Sequence, residues 1–144
     1  MKAAIIKRMI VDASVAVAWC FEDESTRFTE GVLDLLSTGT EVLTPAIWPF
    51  EVANALLVAE RRKRITMAQV TSLLQRMAGL RISVDPIQPG TAFNQILSVA
   101  RQNDLTEYDA AYVELALREA LPLATLDDKL RRAATRVGIT LVAT

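Results

Sequence analysis

The chain has 144 residues, 51% of them hydrophobic, a formal net charge of -1, no histidine and one cysteine. That length suits one domain spanning 1–144, with room for a sizeable core. No run reaches the ~18 apolar residues that read as a membrane span. The lone Cys20 has no partner for an internal disulfide, and Met1-Lys2-Ala3-Ala4-Ile5-Ile6-Lys7-Arg8 is interrupted by charge too soon for a signal peptide. The expectation is a cytoplasmic protein without membrane contact.

Met9-Ile10-Val11 reads as a buried strand and Ser14 to Phe21 as a short helix. Thr26 to Leu36 carries Phe28, Val32, Leu35 and Leu36 as a helical stripe, and Gly39 fits its stop. Val42-Leu43 is a short strand. Pro49 suits the first turn of a helix running through Val52, Leu56 and Leu57 to about Arg62. A helix from Thr66 or Met67 to Gly79 should bury Val70, Leu73, Leu74 and Met77. Ile82-Ser83-Val84 is a third strand. The next helix spans roughly Gly90 to Asn103, with Phe93, Ile96, Leu97 and Ala100 inward. Thr106 looks like the N-cap of a helix reaching about Ala120. Leu121 to Thr125 is a fourth strand, Asp127 to Val137 a helix closed by Gly138, and Ile139 to Val142 a fifth strand.

Strands alternating with helices imply an α/β fold, with a parallel sheet of four to five strands covered on both faces. In such sheets the functional crevice lies beyond the carboxyl ends of the strands. Asp12 and Asp127 each follow an apolar run that ends there. Glu51 and Asp109 lie in helical segments between them.

Each of these acids has a simpler reading. Asp12 and Asp127 are ordinary helix-capping residues, and Asp109 stands three residues past Thr106, where a carboxylate answers a free backbone N–H. Glu51 sits in the first turns of an apolar helix with no Lys or Arg within four residues, so no helix-spaced ion pair serves it. Ser14 suits a helix start and Thr125 a strand end. Tyr108 and Tyr112 suit packing, and Cys20 a small buried hydrophobe. Arg61-Arg62-Lys63-Arg64 and Arg131-Arg132 with Arg136 sit near helix ends, where solvated cations answer the dipole, or they contact phosphates.

Gathered in one crevice, the four acids repel, and a divalent cation relieves that repulsion. The wide separations exclude a contiguous calcium loop, while carboxylates that leave open water positions suit Mg²⁺ or Mn²⁺. Without histidine or a cysteine cluster, metal-assisted phosphodiester hydrolysis is the natural chemistry.

Ile10-Val11-Asp12-Ala13-Ser14, Pro45 with Glu51-Val52-Ala53-Asn54-Ala55-Leu56, Tyr108-Asp109-Ala110-Ala111-Tyr112 and Leu123-Ala124-Thr125-Leu126-Asp127 resemble, in order and spacing, the PIN-domain family. The likeness is strongest to its VapC toxin nucleases from toxin–antitoxin modules, and it covers almost the whole chain. It implies an α/β/α sandwich, an acidic Mg²⁺ or Mn²⁺ site, endonucleolytic cleavage of RNA, a cognate antitoxin that inserts a peptide near the site, and a homodimer. Carried over, Asp12, Glu51, Asp109 and Asp127 form the catalytic, metal-holding set. Ser14, Asn54 and Thr125 are accessory polar residues facing the substrate. Asp128 stands close enough in sequence to share the role of Asp127. Trp19, Phe21, Trp48 and Phe50 belong to the core, the antitoxin groove or the dimer face. Competing readings are a catalytically silent PIN-like scaffold, a DNA-directed nuclease of the same fold, and phosphoryl transfer through an aspartate. The last is disfavoured because Ser14 stands where haloacid-dehalogenase-like enzymes need a second Asp.

Overall fold

The computed structural model describes residues 5–144, so the first four residues of the charged N-terminal stretch lie outside the described residues. Four strands form one parallel sheet: β1 (Arg8–Val11), β2 (Glu41–Pro45), β3 (Ile82–Asp85) and β4 (Leu123–Ala124). Their order is β3-β2-β1-β4. Met9 pairs with Val42, Ile10 with Leu123, and Thr44 with Val84. The chain therefore builds outward from β1 through β2 to β3, then returns to lay β4 on the other side of β1. That reversal of strand order opens a crevice between the carboxyl ends of β1 and β4.

Both faces of the sheet are apolar because successive side chains alternate across it. Ile10, Leu43 and Leu123 face a core shared with α3 (Trp48–Arg61), α7 (Glu107–Glu119) and α8 (Asp128–Arg136), including Leu56, Tyr112 and Leu130. Met9, Val11, Val42 and Ala124 face a second core closed by Val32 and Leu36 of α2 (Arg27–Ser37) and by Val142. The arrangement is the three-layer α/β/α sandwich expected from the alternating pattern.

Several elements differ from expectation. Helix α1 is Ala13–Ala18, shorter than Ser14 to Phe21. The chain leaves it so that Phe21 can enter the core and the Trp19 indole N–H can donate to the Thr29 carbonyl at 2.8 Å. The α4 stripe (Met67–Ala78) is not buried: Val70, Leu73 and Met77 are half-buried and Leu74 is exposed. This helix packs mainly on α3 at the outer edge, with no further layer over it.

The helix expected over Gly90–Asn103 is broken into α5 (Pro89–Thr91), a π-helical stretch (Ala92–Ile96) and α6 (Leu97–Asn103). The wider π turn shifts the inward face. Ile96 and Ala100 are buried, but Phe93, expected inward, is 72% exposed. The fifth strand reduces to a single parallel bridge, Leu123 to Leu141, although Ile139 and Val142 are still buried.

Leu56, fully buried in the core it shares with Ile10, Leu43 and Tyr112, is a measure of this packing. Leu56→Ala should destabilise the chain by about 2–5 kcal/mol, read from urea unfolding midpoints at unchanged slope.

Candidate active site

The ends of β1 and β4 are joined by side chains as well as by backbone. The Asp12 N–H continues the ladder to the Ala124 carbonyl at 3.1 Å. The Asp12 carboxylate, 6% exposed, then closes the crevice. Its Oδ1 accepts from the Ser14 hydroxyl at 2.5 Å and the Val15 N–H at 3.3 Å, and its Oδ2 accepts from the Thr125 hydroxyl at 2.6 Å. Each hydroxyl is in turn an acceptor: Ser14 Oγ from the Leu126 N–H, and Thr125 Oγ1 from the Asp127 N–H, both at 3.0 Å. Ser14 and Thr125 thus tie the turn after β4 to Asp12. Their hydroxyls are oriented by the acid and lie beside it.

Asp12 also caps α1, and Asp127 caps α8 by accepting the Leu130 N–H at 2.9 Å. The capping roles anticipated for both are real, and they hold the carboxylates at helix N-termini, where the dipole favours negative charge. The Arg131 guanidinium donates to the Thr125 carbonyl at 3.0 Å, bracing the same turn.

Glu51 and Asp109 arrive from the first turns of two helices. Helix α3 begins just beyond β2, so its Glu51 is carried to the same edge of the sheet. Thr106 caps α7 as expected, its hydroxyl accepting the Asp109 N–H at 3.1 Å. The Glu51 carboxylate Oε1 accepts from the Tyr112 hydroxyl at 2.6 Å. Tyr112, 1% exposed, is more than a packing residue: it is the partner that Glu51 lacks on its own helix. The sequence signal was Tyr112 one turn after Asp109, but only the packing of α3 against α7 gives it a purpose.

Burial is the first cause that pushes Asp12, Glu51 and Asp109 above their ordinary carboxyl values. For Asp12 the Ser14, Thr125 and Val15 hydrogen bonds pull back, while the Asp127 charge pushes up. For Glu51 the Tyr112 bond opposes the charges of Asp109 and Asp12. For Asp109 the charge of Asp127 raises, and a Thr106 hydrogen bond and the Lys129 ammonium lower. Buried Tyr112 beside Glu51 is itself pushed upward. The four acids therefore form one field, linked pairwise as 12–127, 12–51, 51–109 and 109–127.

Among the described residues, no group of three or more His, Cys, Asp or Glu side chains is gathered closely enough to hold a metal ion. The donor chemistry nevertheless fits a hard cation, since every candidate donor is a carboxylate or hydroxyl oxygen. Mg²⁺ keeps several waters and needs only one or two direct carboxylates, so a loose set suits it better than a full cage. Asn54, one turn beyond Glu51 on α3, is exposed. Of the four aromatic residues of undecided role, Phe21 and Trp48 are core, Trp19 is half-buried and Phe50 is 74% exposed. The cluster Arg61-Arg62-Lys63-Arg64 is solvated, with Arg64 paired to Asp23 and Glu24.

Raised acids hold protons in the folded chain to higher pH than in the unfolded one. Stability from these groups is therefore complete below the ordinary carboxyl range and falls as pH rises through their raised values. In chelator at pH 7.5, Asp12→Asn and Glu51→Gln should melt higher than the parent, by about 2–4 °C for each kcal/mol recovered. The gap should close near pH 4, and added Mn²⁺ should raise the parent's midpoint more than that of Asp12→Asn. Thermal scans across pH read both effects.

Comparison with known proteins bears on the family and the fold. The chain is 27% identical over 123 residues to Ribonuclease VapC3 of Pyrobaculum aerophilum, covering 85% of this chain and 92% of that protein. Its fold matches Mycobacterium tuberculosis VapC20, a sarcin-ricin loop cleaving toxin, with TM-score 0.69 at 13% identity over 94% of this chain and 99% of that one. It also matches VapBC2 of Rickettsia felis bound to a DNA fragment from its promoter, with TM-score 0.66 at 14% identity over 94% and 97% of the two chains. The PIN domain family model spans residues 9–136, so nearly the whole length is matched, and the chain belongs to the PIN-domain family.

Proposed function

We propose that this chain is a metal-dependent endoribonuclease, the toxin of a type II toxin–antitoxin pair, acting as one domain in the cytoplasm. The observation that carries the reading is the joining of Asp12, at the end of β1, to the turn that bears Asp127 through Ser14 and Thr125, with Glu51 held by Tyr112 of the helix that bears Asp109. The names of the Pyrobaculum ribonuclease and the Mycobacterium toxin support the substrate class. The VapBC2 assembly supports a cognate antitoxin as partner. A homodimer is the proposed oligomer, and no helix among the described residues is long and apolar enough to cross a membrane.

Asp12, Asp109 and Asp127 would hold Mg²⁺ or Mn²⁺, with Glu51 contributing directly or through water. The ion supplies Lewis acidity, which acidifies water and screens charge building on a phosphodiester. The protein's own groups do the rest. Ser14 and Thr125 fix the Asp12 carboxylate, so it is already oriented when substrate arrives. Tyr112 fixes Glu51 in the same way, and Glu51's raised affinity for protons suits it to accept one from the attacking water. Lys129, near enough to bias Asp109, is a cation available to a phosphate oxygen. Asn54 and the Ser14 hydroxyl line the approach of the substrate, whereas Thr125, expected there too, is fully buried and acts through Asp12.

Incubation with total RNA and Mg²⁺, with and without chelator, followed by sequencing of cut ends, tests the reading. Cleavage should require the ion and vanish in Asp12→Asn and Asp109→Asn while both variants remain folded by circular dichroism. Full activity in Asp12→Asn would refute the assignment. Ser14→Ala and Thr125→Ala, which only release Asp12, should lose about 10–100-fold in ion affinity or rate. Calorimetry that finds no Mn²⁺ binding would favour the silent scaffold instead.

A further inference from the structure

Of the two basic clusters in the chain, one is explained by its place. Arg61, Arg62 and Lys63 lie at the C-terminal end of α3, where the helix dipole favours cations, and Arg64 is paired with Asp23 and Glu24. At the helical rise per residue, that end stands about 15 Å along α3 from Glu51. The second cluster, on α8, is different. Helix α8 reads Asp128-Lys129-Leu130-Arg131-Arg132-Ala133-Ala134-Thr135-Arg136, four cations against one acid, in a chain whose net charge is -1. Leu130, Ala133 and Ala134 face the core. Arg131 turns inward as well, donating to the Thr125 carbonyl. Lys129, Arg132 and Arg136 remain, all exposed. Their spacing puts them on one face of the helix. The rise along the axis spreads that face over about 10 Å.

This stripe works against the helix that carries it. Like charges three and four residues apart repel. Lys129 stands in the first turn, two residues after the N-cap Asp127, where the dipole disfavours a cation. Among the described residues neither Arg132 nor Arg136 has a carboxylate within salt-bridge reach, although Asp128 stands one turn before Arg132. Lys129 meets the exposed Asp104 at 3.7 Å. That contact runs from the helix start that bears Asp127 to the turn that leads into α7 and Asp109. The ammonium therefore stands at the mouth of the acidic crevice, and its charge reaches Asp109.

A polyanion brought to four carboxylates needs positive charge beside them, since one divalent ion offsets only part of theirs. Exposed cations lined along one helix face are the footprint of nucleic-acid backbone binding. We propose, on the footing of the endoribonuclease reading, that Lys129, Arg132 and Arg136 form a backbone track on α8. They take successive phosphates of the RNA strand and lead it to the acids, and Lys129 leaves Asp104 for the phosphate that enters the crevice. The track recognises charge and not base, so it adds affinity without sequence preference.

The test follows the anisotropy of a short fluorescein-labelled single-stranded RNA of mixed sequence. Binding is measured on Asp12→Asn protein, which is not expected to cut, at fixed Mg²⁺ across a KCl series. The logarithm of affinity falls against the logarithm of salt with a slope of about 0.7 for each phosphate contact on a single strand. Lys129→Gln, Arg132→Gln and Arg136→Gln should each flatten that slope by about 0.7, and the three together by about 2. Arg61→Gln, Arg62→Gln and Lys63→Gln together remove the same charge from the end of α3 and should leave the slope near its starting value. Arg132→Lys with Arg136→Lys keeps the charge and should keep the slope, which separates a phosphate role from a packing role. An unchanged slope in the α8 triple variant, an equal loss in both triple variants, or no binding by the starting protein overturns the track. A change in sedimentation mass in the α8 triple variant with the slope intact would reassign the stripe to an interface between chains. Cleavage of total RNA by the unsubstituted protein is a separate readout: its absence defeats the nuclease reading, whereas a salt slope indifferent to α8 defeats only the track.

Discussion

The hydrogen bonds that the Thr125 and Ser14 hydroxyls donate to the Asp12 carboxylate hold the two sides of the crevice together. The Thr125 bond joins residues 113 positions apart in the chain, across the point where the strand order reverses, and the Ser14 bond is local. A carboxylate this buried cannot rely on water, so its neighbours must satisfy it. Ser14 and Thr125 do so and pass the constraint on, each accepting a backbone N–H from the turn that bears Asp127. The position of Asp127 is thus a consequence of how Asp12 is satisfied, and α8 begins where that turn ends.

The cluster is costly in the absence of a counter-ion. Three of its acids are shifted toward the neutral form by burial first and by one another second. A chain selected for stability alone would relieve this with a lysine or an apolar residue, because unpaired charge in a crevice lowers stability. The cost is borne by the scaffold beneath. Helix α7 is buried from Ala110 to Ala116, including Glu114, which is paired with Arg118. Such a helix keeps Asp109 and Tyr112 at fixed heights over the sheet. Sites that break the rules of local satisfaction while the surrounding packing is firm are where function concentrates.

The same edge of the sheet carries two kinds of surface. The end of β1 and the turn after β4 supply acids and hydroxyls. The ends of β2 and β3, with the first turns of α3 and α7, supply apolar walls and aromatic rings. Because Glu51 follows Phe50 and Asp109 follows Tyr108, the two helix starts each contribute one residue to both.

Much of this was legible in the residues. Apolar triplets followed by Asp, the caps at Thr26, Thr66 and Thr106, and the glycine stops at Gly39 and Gly138, both with positive φ, are local signals whose physics acts within a few positions. They determined strand and helix order, and with it a parallel sheet with acids at its carboxyl edge. Several features escaped, among them four whose state depends on distant partners. The π turn moved Phe93 outward, the outer edge left α4 half-covered, and the last strand shrank to one bridge for want of a longer β4 to pair with. Tyr112 found its partner in Glu51 only because α7 lies against α3. Sequence alone determined which side chains were able to act, since residue type and helical or strand period are properties of neighbouring positions. The tertiary structure decided which of them meet, because burial and charge–charge contact arise only when remote segments share a few ångströms of space.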